Sequence, residues 1–515
     1  MQDSPEINQK VPVWVAQIED SLLQGLVGFL QSINPSIQAK LLAFLCEPWV
    51  HFFSHGTLHR YELIKRERSI AASFNTVNSP PPGDTHAFLE LSRTVDYKCM
   101  IDSSLLGETV SFRCRNTIET IRHSDRPSRA TITCYKTGLP RKFRYLLSWL
   151  SLWKIKILNK SGQLLHHPPD THLREKLQEH LSGCLDTPDS SLTTWISGAC
   201  AALFPVSILE SLGSSWLKKT GLYRQTALFS ANAWDIIDEW KIYASVQKSM
   251  YQTKWIGSPH ALNHGSLEIF WQREFELKYL DKYLTWGWTP IAEHNADVTD
   301  FYPPHFPQEM NRPPRSIDWE KGILISSAGR SRHLLEYPYY PENFLIYLET
   351  QVKLAQQLQS HTQLDVTIRN RPKDLGWDLE NMIRELKNLK ITIEFQKGTF
   401  RDRLKRCALH VCDNFSTTIA ESLLQNHPTL ILITHDYFLM HAQARNAWQD
   451  LNRVGILHHS VEGLITQIER IKQEPLTWWN HADTQSAIKY FLHDQARNGG
   501  DIWKWMQALL KVART

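Results

Sequence analysis

The 515-residue chain is poor in cysteine, and its eight cysteines are scattered without a CxxC pair. That spacing fits reduced structural thiols and argues against a disulfide or zinc framework. No uninterrupted apolar stretch approaches the roughly 18 residues of a membrane span. The polar, acidic N-terminus also lacks the apolar core of a signal peptide. We therefore expect a cytoplasmic protein.

Several catalytic signatures are absent as well. No D-x-D triplet occurs, so the sequence does not indicate a divalent ion held by carboxylates beneath a diphosphate. The absence of G-x-S-x-G and Walker-type sequences argues against serine hydrolases and P-loop ATPases. A net charge of only +4 gives no electrostatic reason to expect a nucleic-acid partner.

What is present is the composition of a well-packed globular protein that is too long for one core. Periodicity and proline content divide the chain into six segments. These are an N-terminal helical region at 1–75, a mixed α/β insertion with a basic aromatic helix at 86–165, a Rossmann-like unit at 195–301, a proline-rich linker at 302–316, a second Rossmann-like unit at 317–475, and Trp-rich C-terminal helices at 476–515 that pack back across the domains.

Short apolar strands alternate with single helices in both Rossmann-like segments. In the second, for example, the strands Leu364–Arg369 and Ile391–Phe395 flank a helical pattern that begins at Leu379. This alternation predicts an α/β fold with parallel, doubly wound sheets. Two such sheets joined by a linker would place a ligand-binding crevice between the carboxyl ends of their strands.

The most informative segment is Leu409–Ile433, which reads as strand, polar turn, helix and strand. The turn and the first helical residues are Asp413, Asn414, Ser416, Thr417, Thr418 and Glu421. Hydroxyls and free backbone N–H groups at a helix N-terminus form a ready phosphate site. Glu421 lies one turn into the helix, where it could reach a ribose or cap the helix. An ordinary N-cap in a parallel sheet explains the same pattern.

Two arginines of this half also follow predicted strands. Arg369 ends the strand in VTIRNRPKD, and Arg330 lies in the loop Ser326–His333 after another strand. The planar fork of an arginine suits a diphosphate. A surface ion pair of the first arginine with Asp374 or Asp378 is the alternative.

The first half offers a polar loop, GSPHALNHGS at Gly257–Ser266, directly after a strand. A histidine there, His260, is suited to act as a general base because the unperturbed pKa of a histidine side chain, about 6.5, lies close to cytosolic pH. Asn263, His264 and Gly265 would form the acceptor side of the loop. No third ligand supports a zinc site. A histidine that is simply hydrogen-bonded within the loop is the alternative, and the later glutamates Glu268, Glu274 and Glu276 are further candidate bases.

The segment 141–160 combines six basic residues with two tryptophans and a Leu/Ile-rich face. Such a helix can lie at a membrane surface, where cations meet anionic lipid. A buried amphipathic helix with a snorkelling rim explains the pattern too, and we favour it.

Several motifs, in this order, resemble the surface-polysaccharide transferase family of bacterial O-antigen gene clusters. They are FPVSILESL at 204–212, TALFSANAW at 226–234, the G-x-x-H…G loop at 257–265, YLTWGW at 283–288, DLGW at 374–377, the STTIAESL helix start and the late Trp478–Trp479 pair. The resemblance implies a GT-B-like fold of two facing Rossmann-type domains, with a nucleotide-activated sugar as co-substrate.

The chain departs from this family at one loop. The family pattern is close to QHGGxYG, and here Ala261 and Leu262 replace the paired glycines while His260 and Gly265 are kept. If the backbone had to take a positive φ there, Leu262 would obstruct it. The departure raises the question of altered acceptor specificity or reduced activity.

These observations predict a metal-independent glycosyltransferase that builds surface polysaccharide or lipopolysaccharide. It would need no cofactor besides the nucleotide sugar, and its acceptor would be a glycan or a lipid-linked glycan. Ser416, Thr417 and Thr418 would hold the phosphates, Arg369 would offset charge on the leaving group, and His260 would deprotonate the acceptor. A sugar-nucleotide epimerase of the same fold and a catalytically silent polysaccharide-binding protein remain as alternatives.

Overall fold

The structure is a computed structural model that describes residues 13–58, 60–61, 77, 81–93, 95–105, 131–158, 167–187, 189–219, 223–290, 294–304, 317–330, 341–370, 377, 379–384, 390–395, 398–434 and 439–513. Two parallel six-stranded sheets form the frame of this part of the chain, one in each half. The predicted α/β class with two doubly wound domains facing a cleft is confirmed. Most of the predicted linker lies outside the described residues.

The first lobe is built on a sheet with the strand order β2-β1-β3-β4-β5-β6. Its strands are β1 (Ile132–Tyr135), β2 (Ile155–Leu158), β3 (Ala227–Ser230), β4 (Lys254–Gly257), β5 (Lys282–Thr285) and β6 (Asp297–Asp300). The residues of β1, β3 and the inner part of β4 are buried, as expected for parallel strands covered on both faces. The strand order reverses between β1 and β3, which is where doubly wound sheets open a crevice.

The second lobe has the order β12-β11-β10-β7-β8-β9, the arrangement of a Rossmann sheet. Its strands are β7 (Ile323–Ser326), β8 (Val366–Asn370), β9 (Ile391–Phe395), β10 (Leu409–Cys412), β11 (Thr429–Leu432) and β12 (Leu457–His458). The order reverses between β7 and β10. In register, Ser326 pairs with Arg369 on one side and with Cys412 on the other, so the three strands end at one level.

The first sheet begins earlier along the chain than the predicted boundary at residue 195. Strands β1 and β2 fall within the segment 86–165, which was predicted to be an insertion. They pair with each other, and β1 also pairs with β3. The basic aromatic segment is not one helix: it runs as a helix to Leu150, turns, and continues as β2. The apolar residues of IKIL, the sequence of β2, continue the helical spacing of the residues before them, so the sequence pattern predicts a longer helix. The β-branched isoleucines nevertheless favour a strand.

The described helices lie between and around these strands. In chain order they are α1 (Val13–Ile33), α2 (Ala39–Phe53), α3 (Thr85–Ser92), α4 (Val95–Leu105), α5 (Arg141–Leu150), α6 (Thr171–Cys184), α7 (Ser190–Leu203), α8 (Val206–Leu209), α9 (Leu212–Lys219), α10 (Asp238–Tyr251), α11 (Asn263–Ser266), α12 (Trp271–Tyr279), α13 (Pro341–Thr362), α14 (Leu379–Arg384), α15 (Phe400–Leu404), α16 (Thr417–Leu424), α17 (Arg445–Arg453), α18 (Val461–Ile471), α19 (Pro475–Trp479), α20 (Ala482–Gln495) and α21 (Ile502–Val512). A π-helical turn, Ser54–Leu58, follows α2, and a 3₁₀ turn, Trp319–Lys321, precedes β7.

The N-terminal helical region packs on the first lobe. Phe44 of α2 lies 4.6 Å from Trp255 of β4 and stacks on Phe275 of α12 at 5.5 Å between ring centroids. Lys241 is fully buried beneath α2, where it donates to the carbonyl of Leu45 at 3.0 Å. Its charge is offset by Asp238 at 3.0 Å, as a buried cation requires.

The C-terminal helices cross from the second lobe to the first. Phe491 of α20 packs edge-on against Trp448 in the second lobe, at 4.9 Å. Further along, Trp505 of α21 contacts Phe229 of β3 and Phe301, at 5.5 and 5.0 Å. The last described helix therefore closes the core of the first lobe.

Among the described residues, none of the helices is both long enough and apolar enough to cross a membrane.

Candidate active site

A cleft of about 1170 Å³ separates the two lobes. Much of its wall is formed by residues at or after the carboxyl ends of strands in both sheets. They include Asn232 after β3, His260 after β4, Ser327 after β7, Arg369 in β8 and Asn414 after β10. Ligands of doubly wound folds bind at the carboxyl ends of the strands, so the cleft is the natural site for chemistry.

The structure brings most of the predicted site residues to this cleft. Those that line it are His260, Asn263, Arg330, Arg369, Asn414, Ser416, Thr417, Thr418 and Glu421. Three others lie behind its walls: Asp413, His264 and Gly265, all of them buried. These three support the site rather than face it.

The helix α16 begins at the cleft. Ser416 is its N-cap, with extended backbone angles, and its side-chain oxygen accepts the backbone N–H of Thr418 at 3.3 Å. Ser/Thr residues favour this position because their oxygens satisfy N–H groups that the first helical turn leaves without partners. The side chain of Thr418 reaches the hydroxyl of Ser326 at the end of β7, at 3.0 Å. The positive end of the helix dipole thus faces the cleft beside β7.

A buried polar network fixes the loop between β10 and α16. Asp413 accepts hydrogen bonds from Tyr347 at 2.6 Å and from Gln351 at 2.7 Å, both on α13. Burial raises the pKa of Asp413, although these hydrogen bonds oppose the shift. Asn414 donates to Asp413 at 3.0 Å and to the carbonyl of Ser326 at 3.3 Å. Asp413 therefore anchors the loop. We expect it to position the loop and not to bind a ligand itself.

Arg369 is 5% exposed and held on two sides. It donates to Glu394 at 2.8 Å and to the carbonyl of Gly398 at 3.0 Å. Arg403 binds the other oxygen of Glu394, also at 2.8 Å. Burial opposes ionisation of this carboxyl, but the two arginines prevail and lower its pKa. Glu394 is thus one ion-pair partner of Arg369. The predicted partners Asp374 and Asp378 lie outside the described residues.

On the first lobe, His260 begins a chain of hydrogen bonds that runs into the core. Its Nδ1 lies 3.2 Å from Nε2 of His264, and Nδ1 of His264 lies 2.9 Å from the hydroxyl of Tyr283. Tyr283 in turn donates to Glu276 at 2.7 Å. His264, Tyr283 and Glu276 are all fully buried, whereas His260 reaches the cleft.

The direction in which the protons of this chain point depends on the ionisation of Glu276. Burial lowers the pKa of His264 well below its usual value and raises the pKa of Glu276 well above its usual value. When Glu276 is ionised, Tyr283 donates to it, and Nδ1 of neutral His264 then donates to Tyr283. Its Nε2 then accepts from Nδ1–H of His260. This arrangement places the lone pair of neutral His260 on Nε2, the atom a general base would use.

A buried arginine holds the loop that carries these histidines. Arg273 of α12 donates to the carbonyls of His264 at 3.0 Å, of Leu267 at 2.6 Å and of Glu268 at 2.6 Å. Because three loop carbonyls converge on one guanidinium, the loop is fixed to α12.

The replaced glycines of the loop do not strain it. Leu262 has a φ of −62° and a ψ of −28°, ordinary right-handed angles, and its side chain is buried in the main core. A positive φ is therefore not required at this position. Gly265 is needed for another reason, since a side chain there would collide with the indole ring of Trp288. Its role is in packing and not on the acceptor side of the cleft.

Sequence reasoning missed part of the first-lobe wall. Asp235 lines the cleft, is 6% exposed, and has one carboxyl oxygen with no hydrogen bond among the described residues. Burial raises its pKa. Glu19 of α1 also lines the cleft with a pKa raised by burial, and Trp271 of α12 stacks on His51 of α2 at 4.2 Å. The signal for Asp235 was available, because it follows β3 as His260 follows β4.

No cluster of three or more metal-ligating side chains occurs in the part of the chain that the structure describes.

Solved structures with a similar course of the chain include several enzymes that act on nucleotide sugars or transfer sugars. MurG from Acinetobacter baumannii is 10% identical, with 74% of this chain and 99% of that chain covered and a TM-score of 0.35. The spinosyn rhamnosyltransferase SpnG with spinosyn aglycone is 11% identical, with 75% and 100% covered and a TM-score of 0.36. UDP-N-acetylglucosamine 2-epimerase from Rickettsia bellii is 12% identical, with 75% and 96% covered and a TM-score of 0.37. No curated protein matches the chain significantly.

A family model matches residues 93–510, which include both sheets and every residue of the cleft discussed above except Glu19 and His51. The predicted enzyme class is thereby confirmed as a transferase. The chain belongs to the LIC12162 family of transferases.

Proposed function

We propose that the enzyme transfers a sugar from a nucleotide-activated donor to a hydroxyl group of a surface-polysaccharide or lipopolysaccharide acceptor. The observation that carries the proposal is that His260 and the N-terminus of α16 line the same cleft from opposite lobes. A base on one wall and an anion site on the other are the two elements that a glycosyl transfer needs. The resemblance to transferases of O-antigen gene clusters supports the acceptor class.

On the donor side, the diphosphate would lie against the first turn of α16. The backbone N–H groups and hydroxyls of Ser416, Thr417 and Thr418 supply donors there, and Arg330 adds a positive charge on the same wall. Glu421 lies one turn further, within the cleft lining, where a ribose could meet its carboxylate. Arg369, fixed by Glu394, would stabilise the charge that develops on the leaving diphosphate.

On the acceptor side, Nε2 of His260 would accept the hydroxyl proton as the acceptor oxygen attacks the anomeric carbon. The new carbon–oxygen bond forms while the bond from that carbon to the diphosphate oxygen breaks. The electron pair of the broken bond leaves with the nucleoside diphosphate. With Glu276 ionised, the hydrogen-bond chain would keep the reactive lone pair on Nε2. We propose that this chemistry needs no metal ion, and that it takes place in the cytoplasm.

A thermal-shift screen against nucleotides and nucleotide sugars tests the donor half of the proposal. A ligand at about 100 times its Kd should add about 2.7 kcal/mol of apparent stability. A flat response to UDP, GDP, CMP and dTDP compounds would count against a nucleotide-sugar donor.

Release of nucleoside diphosphate from the donor identified in that screen, measured with a glycan extract as acceptor, tests the catalytic half. His260→Ala should lower the rate by about 10²–10⁴ if His260 is the base, while the thermal shift by the nucleotide is kept. EDTA should leave the wild-type rate unchanged. An unaltered rate in the variant would remove His260 from the role, and loss of activity with EDTA would refute metal independence.

A sugar-nucleotide epimerase is the second candidate, because two carboxyl groups with raised pKa values, Asp235 and Glu19, line the first-lobe wall. Two carboxyl groups that line one cleft could move a proton on a bound sugar nucleotide. Incubation of the enzyme with the nucleotide sugar alone separates the candidates. An epimerised sugar in the absence of acceptor would favour the epimerase, and an unchanged sugar favours the transferase.

A further inference from the structure

The helix α5 and the turn that follows it carry an unusual density of exposed aromatic and aliphatic side chains. One side of the helix packs inward, with Leu147 fully buried against the core of the first lobe. The other side presents Tyr145 at 62% exposure, Trp149 at 63%, Leu152 at 79% and Trp153 at 70%. We call these four side chains the aromatic tip. Soluble surfaces scatter such residues singly, so a group of four within nine positions indicates an interaction surface.

The turn is built so that its apolar residues point outward. Leu152 and Trp153 have φ angles of 51° and 63°, a left-handed conformation that bulky residues rarely adopt. It is held by backbone hydrogen bonds from Trp153 to Ser148 at 2.9 Å and from Leu152 to Trp149 at 3.0 Å. The hydroxyl of Ser151 accepts the N–H of Ile155 at 3.1 Å and joins the turn to β2. The exposed tryptophan and leucine are thus held in a defined, ordered turn.

The charged residues of the segment that carries the aromatic tip are all basic. The segment 141–158 carries Arg141, Lys142, Arg144, Lys154 and Lys156, and it contains no aspartate or glutamate. Arg141, Lys142 and Lys154 are exposed. The neighbouring helix α21 packs on α5 and adds the exposed Lys511. We call these six basic residues the basic collar. Basic residues around aromatic ones match the interface of an anionic bilayer, where tryptophan and tyrosine lie at headgroup level and cations meet phosphate.

The surface lies at the outer edge of the first lobe, away from the cleft. Strand β2, which follows the turn, is the edge strand of the sheet. None of the residues of the aromatic tip or its basic collar lines the cleft. A change here should therefore leave the residues that line the candidate active site in place.

We infer that the aromatic tip and its basic collar dock the enzyme on an anionic lipid surface, with Trp149, Leu152 and Trp153 inserted among the headgroups. This changes our expectation from sequence, which favoured a buried amphipathic helix. Helix α5 is amphipathic, but its aromatic side faces solvent. The inference does not rest on the proposed glycosyl transfer, because it uses none of the cleft residues.

The test is co-sedimentation of the full chain with vesicles of phosphatidylcholine that contain about 30% phosphatidylglycerol, against vesicles of phosphatidylcholine alone. We expect binding to the anionic vesicles that weakens with added salt, since counter-charges screen the basic collar. The double variant Trp149→Ser, Trp153→Ser should bind about tenfold more weakly or worse. Its thermal unfolding should be unchanged because both side chains are mostly solvent-exposed.

The matched control is the double variant Leu217→Ser, Tyr490→Ser, which removes two exposed apolar side chains from other surfaces, at 72% and 41% exposure. It should bind like the wild type. Absence of binding to the anionic vesicles, or equal binding by both double variants, would overturn the inference. If ultracentrifugation instead showed a dimer that the tryptophan variant alone abolishes, without vesicle binding, the surface would be a contact between copies.

Discussion

His260 reaches the cleft. The hydrogen bonds behind it run through His264 and Tyr283 to Glu276 in the core. Tyr283→Phe removes the hydroxyl that links His264 to Glu276. Without it, Nδ1 of His264 loses its hydrogen-bond partner, and only Glu276 at 3.9 Å remains near that nitrogen. The proton that His260 carries on Nδ1 is then held less firmly. We expect kcat to fall by about tenfold or more and the pH at half-maximal rate to move, with little change in donor KM.

The pH profile separates this positioning role from a merely structural one. A phenylalanine fills nearly the same volume, so the free energy of unfolding should change by no more than the value of a buried hydrogen bond, about 1–3 kcal/mol. A variant with the wild-type pH profile and rate would show that the chain behind His260 does not set its protonation.

His410 is a buried histidine in the middle of strand β10. It lies 2.7 Å from Ser326 and 3.1 Å from Ser422, is fully buried, and burial lowers its pKa well below 6.5. The unfolded chain binds a proton there below about pH 6.5 and the folded chain does not. The contribution of His410 to stability is therefore present above pH 6.5 and is lost as the pH falls.

For His410→Asn, the difference in unfolding free energy from the wild type should shrink on acidification, by about 1.4 kcal/mol per pH unit below pH 6. Urea titrations of both proteins at pH 7, 6 and 5 measure this. A difference that does not vary with pH would mean that His410 is not held neutral.

At the scale of elements, the second lobe contains two helices with a serine N-cap, α16 and α18. A comparison of the two separates the effect of the cap on stability from its effect on nucleotide binding. Ser416 caps α16 at the cleft, and Ser460 caps α18 away from it by accepting the N–H of Gly463 at 3.1 Å. Each Ser→Ala change should cost about 1 kcal/mol of stability through the lost cap. Only Ser416→Ala should also weaken nucleotide binding, measured by calorimetry. Equal affinities in the two variants would detach α16 from the donor site.

The sequence predicts strands and helices correctly where a short run of neighbouring residues determines them. The strand Ile391–Phe395 matches the structure because it is a short run that closes at polar residues. The predicted helix 141–160 was wrong after Leu150, because the left-handed turn at Leu152 and Trp153 leaves no signature in residues that seldom adopt it. The chain from His260 to Glu276 was equally invisible, since it depends on how α12 packs against β5.

At the scale of the whole molecule, the two lobes are joined by more than the linker. The N–H of Glu268 donates to the carbonyl of Leu439 at 2.8 Å, and the N–H of His441 donates to the carbonyl of Ser266 at 2.9 Å. Ser266 also donates to Gln495 of α20 at 2.9 Å. The loop next to His260 is thus tied to the second lobe and to the returning helices, so the walls of the cleft are positioned together.

The returning helix α21 should be essential for the first lobe. Trp505 is 2% exposed between Phe229 and Phe301. Trp505→Ala should cost about 3–5 kcal/mol because it leaves a cavity that the sheet cannot fill. Chemical unfolding followed by circular dichroism measures the loss. A loss of unfolding free energy below about 1 kcal/mol would show that α21 contributes little to the core of the first lobe.

The central claim is that the second lobe holds a nucleoside diphosphate at the start of α16. A crystal structure of the enzyme with the nucleotide that gives the largest thermal shift tests it most directly. We predict the diphosphate oxygens within hydrogen-bond distance of the backbone N–H groups or hydroxyls of Ser416–Thr418, with His260 across the cleft. A diphosphate bound anywhere else, with the first turn of α16 facing only water, would contradict the account.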